Sequence, residues 1–205
     1  MHFADLEKME TIPLFPLNLV LFPGGELPLR IFEPRYIDLV GECLRTDTGF
    51  GVCYIKKGKE VGGGAQCHDI GSYAKIVDWS QLEDGLLGIT AKAEKRFLVK
   101  NYSERANKLL QGEIHWLDEG AYNEIGENYL VLQTLLTRVL EHFEIKYDDQ
   151  AQKLEDPAWL GYRLAEFLPL EPAARQTLLE MEDSLERLSH LRQMLNEPNI
   201  ADILD

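Results

Sequence analysis

Four short stretches hold residue types that can do chemistry. In "HDIG", residues 68–71, an adjacent His-Asp pair is of the kind that shares a metal with further histidines when it sits on a helix. Here the pair precedes a strand pattern, and His2, His115, His142 and His190 show no ligand spacing, so the expectation is a strand start with no metal and no cofactor. In "VGGGAQ", residues 61–66, three glycines can turn backbone N–H groups toward a phosphate, but such a loop needs a helix N-terminus behind it. A strand follows instead, and a glycine-rich hairpin tip is the expected role. Cys67 adjoins His68, yet neighbours on a strand point to opposite faces. Cys53 lies in the apolar run "FGVCYI", where burial raises a thiol's pKa rather than activating it. The fourth stretch is "LVLFPGG", residues 19–25, which presents an aromatic-proline pair before two glycines. It has two readings: Phe22 tucks back into the core, or Phe22, Pro23 and Gly24 form an exposed polypeptide-binding anchor, one wall of a groove beside the C-terminal helices.

Composition narrows the function classes. With 205 residues, 45% of them hydrophobic, the chain can bury a sizeable core. No apolar run approaches the roughly 20 residues that span a bilayer. The opening "MHFADLEKMETIPLF" carries acids where a secretory signal carries a basic segment, so a cytoplasmic location and no membrane partner are expected. Cys43, Cys53 and Cys67 are odd in number and form no C-x-x-C pair, which reads as reduced, buried thiols. The net charge is -14, with 14 Lys and Arg against 18 Asp and Glu in residues 1–120 and 7 against 17 thereafter. That field repels phosphate backbones, so nucleic acid is not an expected partner; the acidity serves solubility.

The elements that must position these residues change character once along the chain. Up to about residue 119, segments rich in β-branched and aromatic residues alternate with glycine or charged breaks: "FGVCYIKK", "GSYAKIVDWSQL", "LLGITAKAEKRFLVKNY" and "LLQGEIHWL". Their spacing predicts an antiparallel sheet curled into a barrel. One helix interrupts them. In "RIFEPRYIDLVGECLR", Pro34 suits a first helical turn, and Tyr36, Leu39, Val40 and Cys43 then fall at helical spacing with Glu33 at the positive end of the dipole. After Ala121 the period is helical throughout. Ile125, Tyr129, Leu132, Leu136, Val139 and Phe143 mark one face of a first helix. Asp156 and Pro157 start a second, which Pro169 ends. Pro172 opens a third, expected to run unbroken with Leu178, Met181, Leu185, Leu188 and Leu195 on one side. The polar "EIKYDDQAQKLED" between the first two is expected to be a loop.

Several of these segments resemble one known family. The run "IPLFPLNLVLFPGGELPLRIFEPRYIDLV" is similar to the opening of the substrate-binding N-terminal domain of ATP-dependent Lon proteases, and "GAQCHDIGSYAKIVDWSQLEDGLLGITAKAEKRFLVK" and "LAEFLPLEPAARQTLLEMEDSLERLSHLRQML" follow in the same order. The resemblance covers nearly the whole chain. It implies an α+β fold: a PUA-like antiparallel β-barrel over residues 1–119, then a C-terminal helical bundle over 120–205. It also implies a non-catalytic module that binds unfolded or partner polypeptides, similar to free-standing Lon-domain proteins, because neither a G-x-x-x-x-G-K-[ST] loop nor a segment for a Ser-Lys protease dyad is found. Two alternatives stand beside this reading, a small-molecule hydrolase-like enzyme and an RNA-binding PUA-like module. An exposed apolar patch favours binding, a pocket of perturbed carboxylates or thiols favours an enzyme, and a basic face favours RNA. The longest basic clusters are "KKGK" at 56–59 and "EKRF" at 94–97.

Overall fold

A computed structural model describes residues 9–119, 125–147 and 153–195. The chain divides into two compact units, Met1–Asp118 and Glu119–Asp205. Among the described residues the first unit holds strands β1 (Glu10–Leu17), β2 (Glu26–Ile31), β3 (Phe50–Lys57), β4 (Gln66–Cys67), β5 (Ile70–Gln81), β6 (Leu87–Glu104) and β7 (Leu110–Trp116), with helix α1 (Pro34–Thr46) between β2 and β3. The strand path runs β1-β7-β6-β5-β3-β4, and β1 also pairs with β3, which closes five strands into a ring. That closing pair is parallel, with Leu14 opposite Gly51 and Leu17 opposite Tyr54, while the other described pairs make the sheet antiparallel as expected. Helix α1 lies between β1 and β3 in sequence and gives the chain the crossover that parallel strands require.

β6 is the long member, 18 residues that pair with β5 along most of their length, with β2 through Leu87–Lys92, and with β7 through Phe97–Glu104. Register shifts at Tyr73/Ala74, Ile76/Asp78 and Val99/Asn101 bend the sheet as it wraps. Two glycines make room inside. A Cβ on Gly51 would meet the Phe97 ring at 2.5 Å, and one on Gly71 would meet the Val52 carbonyl oxygen at 2.5 Å. The main core collects Phe15, Leu21, Ile31, Phe50, Val52, Ile89 and Ala91 around one face of α1. That face consists of Tyr36, Leu39, Val40 and Cys43, the four residues its spacing singles out. Tyr36 stacks on Phe15 with ring centroids 3.9 Å apart and planes 10° from parallel.

The second unit is helical: a short 3-10 turn (Glu127–Tyr129), α2 (Leu130–His142), α3 (Pro157–Phe167), α4 (Pro172–Glu180) and α5 (Ser184–Leu195). α2 buries Leu132, Leu136 and Leu140; Phe143, expected on its inner face, caps the helix and is 61% exposed. Asp156 accepts hydrogen bonds from Ala158 N (2.9 Å) and Trp159 N (3.3 Å), with Pro157 in the first turn, the cap its sequence predicts. Part of the expected 144–156 loop, residues 148–152, lies outside the described residues.

The single third helix of the sequence reading is in fact two. Met181 leaves the helical region at φ -65°, ψ 126°, and Asp183 then caps α5 by accepting from Leu185 N (2.7 Å) and Glu186 N (3.2 Å). Arg187 explains why the break is stable. From the first turns of α5 it donates to the carbonyls of Leu178 (2.9 Å) and Met181 (2.6 Å), supplying the donors that the end of α4 lacks. No described helix is long and apolar enough to cross a membrane.

The stacked, buried ring of Tyr36 leads to a stability prediction. Tyr36→Ala should cost about 3 to 5 kcal/mol, seen as a large fall in the thermal midpoint, whereas an unchanged melt would contradict its place in the core.

Candidate functional site

The turn from β2 into α1 carries the sequence "IFEPRY", residues 31–36, and its polar members form a joint. Glu33 is the residue before α1, with extended backbone, but its carboxylate does not cap the helix. It pairs instead with Arg35 at 3.1 Å, with both side chains largely buried. The other contacts of this pair reach two distant loops. Arg35 donates to the carbonyl of Lys108 at 3.1 Å and that of Glu60 at 3.3 Å, and Gly62 N donates to Glu33 Oε2 at 3.4 Å. The glycine loop is therefore held against the start of α1. Gly62, Gly63 and Gly64 adopt φ of 93°, 85° and 74°, a left-handed run that other residues enter at a steric cost. A Cβ on Gly63 would also crowd the Arg35 guanidinium at 3.3 Å.

Pinning that loop creates a cleft of 300 Å³ lined by residues of β1, β2, the β2–α1 turn and the glycine loop, among them Leu17, Leu29, Phe32, Tyr36, Glu60 and Val61. Phe32 is 54% exposed and Val61 56% exposed, so the cleft carries apolar surface left uncovered among the described residues. A second cleft of 340 Å³ is lined by residues including Pro28, Leu29, Arg30, Trp79, Leu82 and Ile89. Its aromatic, Trp79, is 61% exposed. Burial pushes the Tyr36 hydroxyl up to about 12, so it stays protonated near neutral pH.

The residues expected to do chemistry lie elsewhere. Phe22 is 1% exposed and Pro23 is buried, which corrects the reading of these two as an exposed anchor, while Gly24 beside them is half-buried. The turn is drawn inward because its polar groups are satisfied there: Gly24 N donates to Ala93 O at 2.7 Å, Ala93 N to Gly25 O at 2.9 Å, and Ser72 Oγ to Leu21 O at 2.6 Å. His68 stacks on Tyr54 with centroids 5.2 Å apart, and Asp69 accepts from the Tyr102 hydroxyl at 3.3 Å. Among the described residues no group of three His, Cys, Asp or Glu converges as a metal site would require. Cys53 lies beside Cys67, with the Asp69 carboxylate near enough to act on both; a hydrogen bond between the two thiols, then burial, raises Cys53, and the same bond lowers Cys67. Burial also pushes Cys43 up to about 11.

Sequence reasoning missed Phe32, Val61 and Trp79. A signal for Phe32 was present: in "LPLRIF" the alternation that turns Leu27, Leu29 and Ile31 inward sends Pro28, Arg30 and Phe32 outward. Val61 and Trp79 had no such signal, since one sits on an irregular loop and the other at the exposed end of a strand.

Comparison with known proteins agrees with this fold. Residues 11–197 match the profile of the ATP-dependent protease La (LON) substrate-binding domain. A Lon protease of Cytophaga hutchinsonii is 26% identical over 207 residues, covering 95% of this chain and 25% of that protein. The Lon protease of Escherichia coli K12 is 23% identical over 92% of this chain, again 25% of its own length. The chain thus spans about a quarter of the curated relatives it matches. Among solved structures, a Lon N-terminal domain protein from Xanthomonas campestris superposes with a TM-score of 0.77 at 36% identity, covering 90% of this chain and 98% of that one. The N-terminal domain of a Mycobacterium avium complex Lon protease shares the fold, with a TM-score of 0.68 at 19% identity over 92% of this chain and 100% of that one. Profile, relatives and fold converge, and the chain belongs to the family of the Lon protease substrate-binding domain.

Proposed function

We propose that this chain is a non-catalytic, cytoplasmic polypeptide-binding or adaptor module that holds unfolded or partner polypeptides in the cleft bordered by Phe32 and Val61. The observation that carries the reading is the exposure of those two apolar side chains in a concave site. Such residues gain on the order of 25 cal/mol for each Å² of apolar surface that a bound chain removes from water. The rest of the lining suits binding better than catalysis. The Glu33 carboxylate is engaged by Arg35 and Gly62, so it serves as a strut rather than as an acid or base open to a substrate. Membership in a family of substrate-binding domains points the same way.

The two other readings have less support. Hydrolase chemistry needs an activated nucleophile, whereas Cys53 is raised by its hydrogen bond to Cys67 and by burial, and the Asp69 charge acts to raise both thiols rather than to lower them. An RNA-binding face needs a broad basic patch, whereas the chain carries a net charge of -14, and Arg30 pairs with Asp84, Arg35 with Glu33, Lys92 with Glu26, and Arg105 with Glu42, so that the exposed basic run is the short "KKGK" at 56–59.

Two measurements test the proposal. The first is capture of reduced, carboxymethylated α-lactalbumin, a permanently unfolded chain, on the immobilised protein. Phe32→Ser should reduce capture severalfold while leaving the thermal midpoint nearly unchanged, because exposed substitutions usually shift stability by no more than about 0.5 kcal/mol. Unaltered capture would discard the cleft. Second, the purified 205-residue chain should neither hydrolyse ATP nor cleave casein. Activity that co-purifies and follows the protein through a mutant series would overturn the non-catalytic reading.

A further inference from the structure

Among the described residues β2 pairs with β6 alone, which leaves its other edge without a strand partner there. Which main-chain groups face that edge follows from the register. Ala93 N donates to Gly25 O, and in an antiparallel ladder the hydrogen-bonded pairs recur every second residue, giving Leu27–Ala91, Leu29–Ile89 and Ile31–Leu87. Glu26, Pro28 and Arg30 therefore turn their main-chain groups away from β6. Pro28 sits where its missing N–H costs the ladder nothing. The outward side still offers the carbonyls of Glu26, Pro28 and Arg30 and the N–H groups of Glu26 and Arg30, none of which has a backbone partner among the described residues.

The two clefts already described share Pro28, Leu29 and Arg30 in their linings, so they meet along this strand. An extended chain laid beside β2 sends alternate side chains to opposite faces of the sheet, and one set lies toward Phe32 and Val61. Trp79, on β5, sits two strands in from that edge. Charge narrows the occupant. Glu60 lines one cleft and Asp78 the other, and neither belongs to an ion pair among the described residues, while Arg30 is committed to Asp84. The site thus offers two unneutralised carboxylates and complements a cationic partner.

Resting on the polypeptide-binding reading above, we infer that the bound segment adds as a β-strand to the open edge of β2, and that it is a short run of alternating apolar residues flanked by Lys or Arg. Main-chain hydrogen bonds then supply sequence-tolerant affinity and the clefts supply the preference for apolar side chains. The absent donor at Pro28 and the charged side chains of Glu26 and Arg30 limit the addition to a short segment and oppose edge-to-edge pairing of two copies.

The test uses the full chain and three lysine-flanked peptides of alternating valine and threonine: one unmodified, and two N-methylated at alternate residues, each blocking one edge. Strand addition predicts that methylation of one edge weakens binding at least tenfold while methylation of the other is tolerated. It also predicts that hydrogen exchange at the Glu26 and Arg30 amides slows at least tenfold on binding, and that glutamate-flanked peptide binds several times more weakly. Equal binding of both methylated peptides with unchanged exchange at β2, alongside intact capture of carboxymethylated α-lactalbumin, overturns strand addition and leaves the binding reading standing. Loss of both peptide binding and α-lactalbumin capture overturns both.

Discussion

The ion pair between Glu33 and Arg35 is the joint on which the candidate site depends. Its two side chains are mostly buried, so each needs the other, and removing one partner of such a pair costs about 3 to 5 kcal/mol because a charge is left uncompensated. The same groups tie three segments that are far apart in sequence: the start of α1, the glycine loop around Gly62, and the β6–β7 turn at Lys108. Together with the hydrogen bond from Asn18 N to Glu60 Oε1 at 2.5 Å, that tie holds Val61 at the cleft that Phe32 also lines. A short motif that reads as a strand-to-helix switch is thus also the fastening of the cleft wall.

Closure of the sheet has a related consequence. The parallel seam between β1 and β3 seals five strands into a ring, which removes most of the exposed edges that sheets otherwise carry. β2 stays outside that ring, attached to β6 on one side only. The open edge and the two clefts arise at the same place because the strand that leaves the ring is also the one that leads into the pinned turn. Architecture and surface chemistry coincide there, which is why an extended chain is the natural occupant.

The helical unit shows the same economy of means. Arg187 is buried, yet it completes the carbonyls that end α4 and lies over the Tyr162 ring at 4.2 Å. A Cβ on Gly161 would meet its side chain at 3.2 Å, so the glycine gives the guanidinium its passage. A run of sequence with continuous helical periodicity is thereby divided at residues 181–183, where Asp183 satisfies N–H groups at the start of α5 and Arg187 satisfies carbonyls at the end of α4. Periodicity reports which residues face inward and is silent about side chains that reach across a break.

What the sequence alone determined is whatever depends on neighbours along the chain. Alternation and β-branched content placed β3, β5, β6 and β7, the Pro34 switch and its spacing placed α1 with its four buried residues, and Asp156-Pro157 placed the start of α3. The family motifs, being ordered strings, were legible for the same reason. Only the tertiary structure decided where Phe22 goes, since its turn is pulled inward by Ala93 and Ser72, residues some 50 to 70 positions away. It alone decided that β1 meets β3 in parallel, that Glu33 and Arg35 hold a loop rather than cap a helix, and that Phe32, Val61 and Trp79 border clefts. Each of these rests on contacts between segments distant in sequence, whose energies depend on three-dimensional proximity that no local pattern encodes.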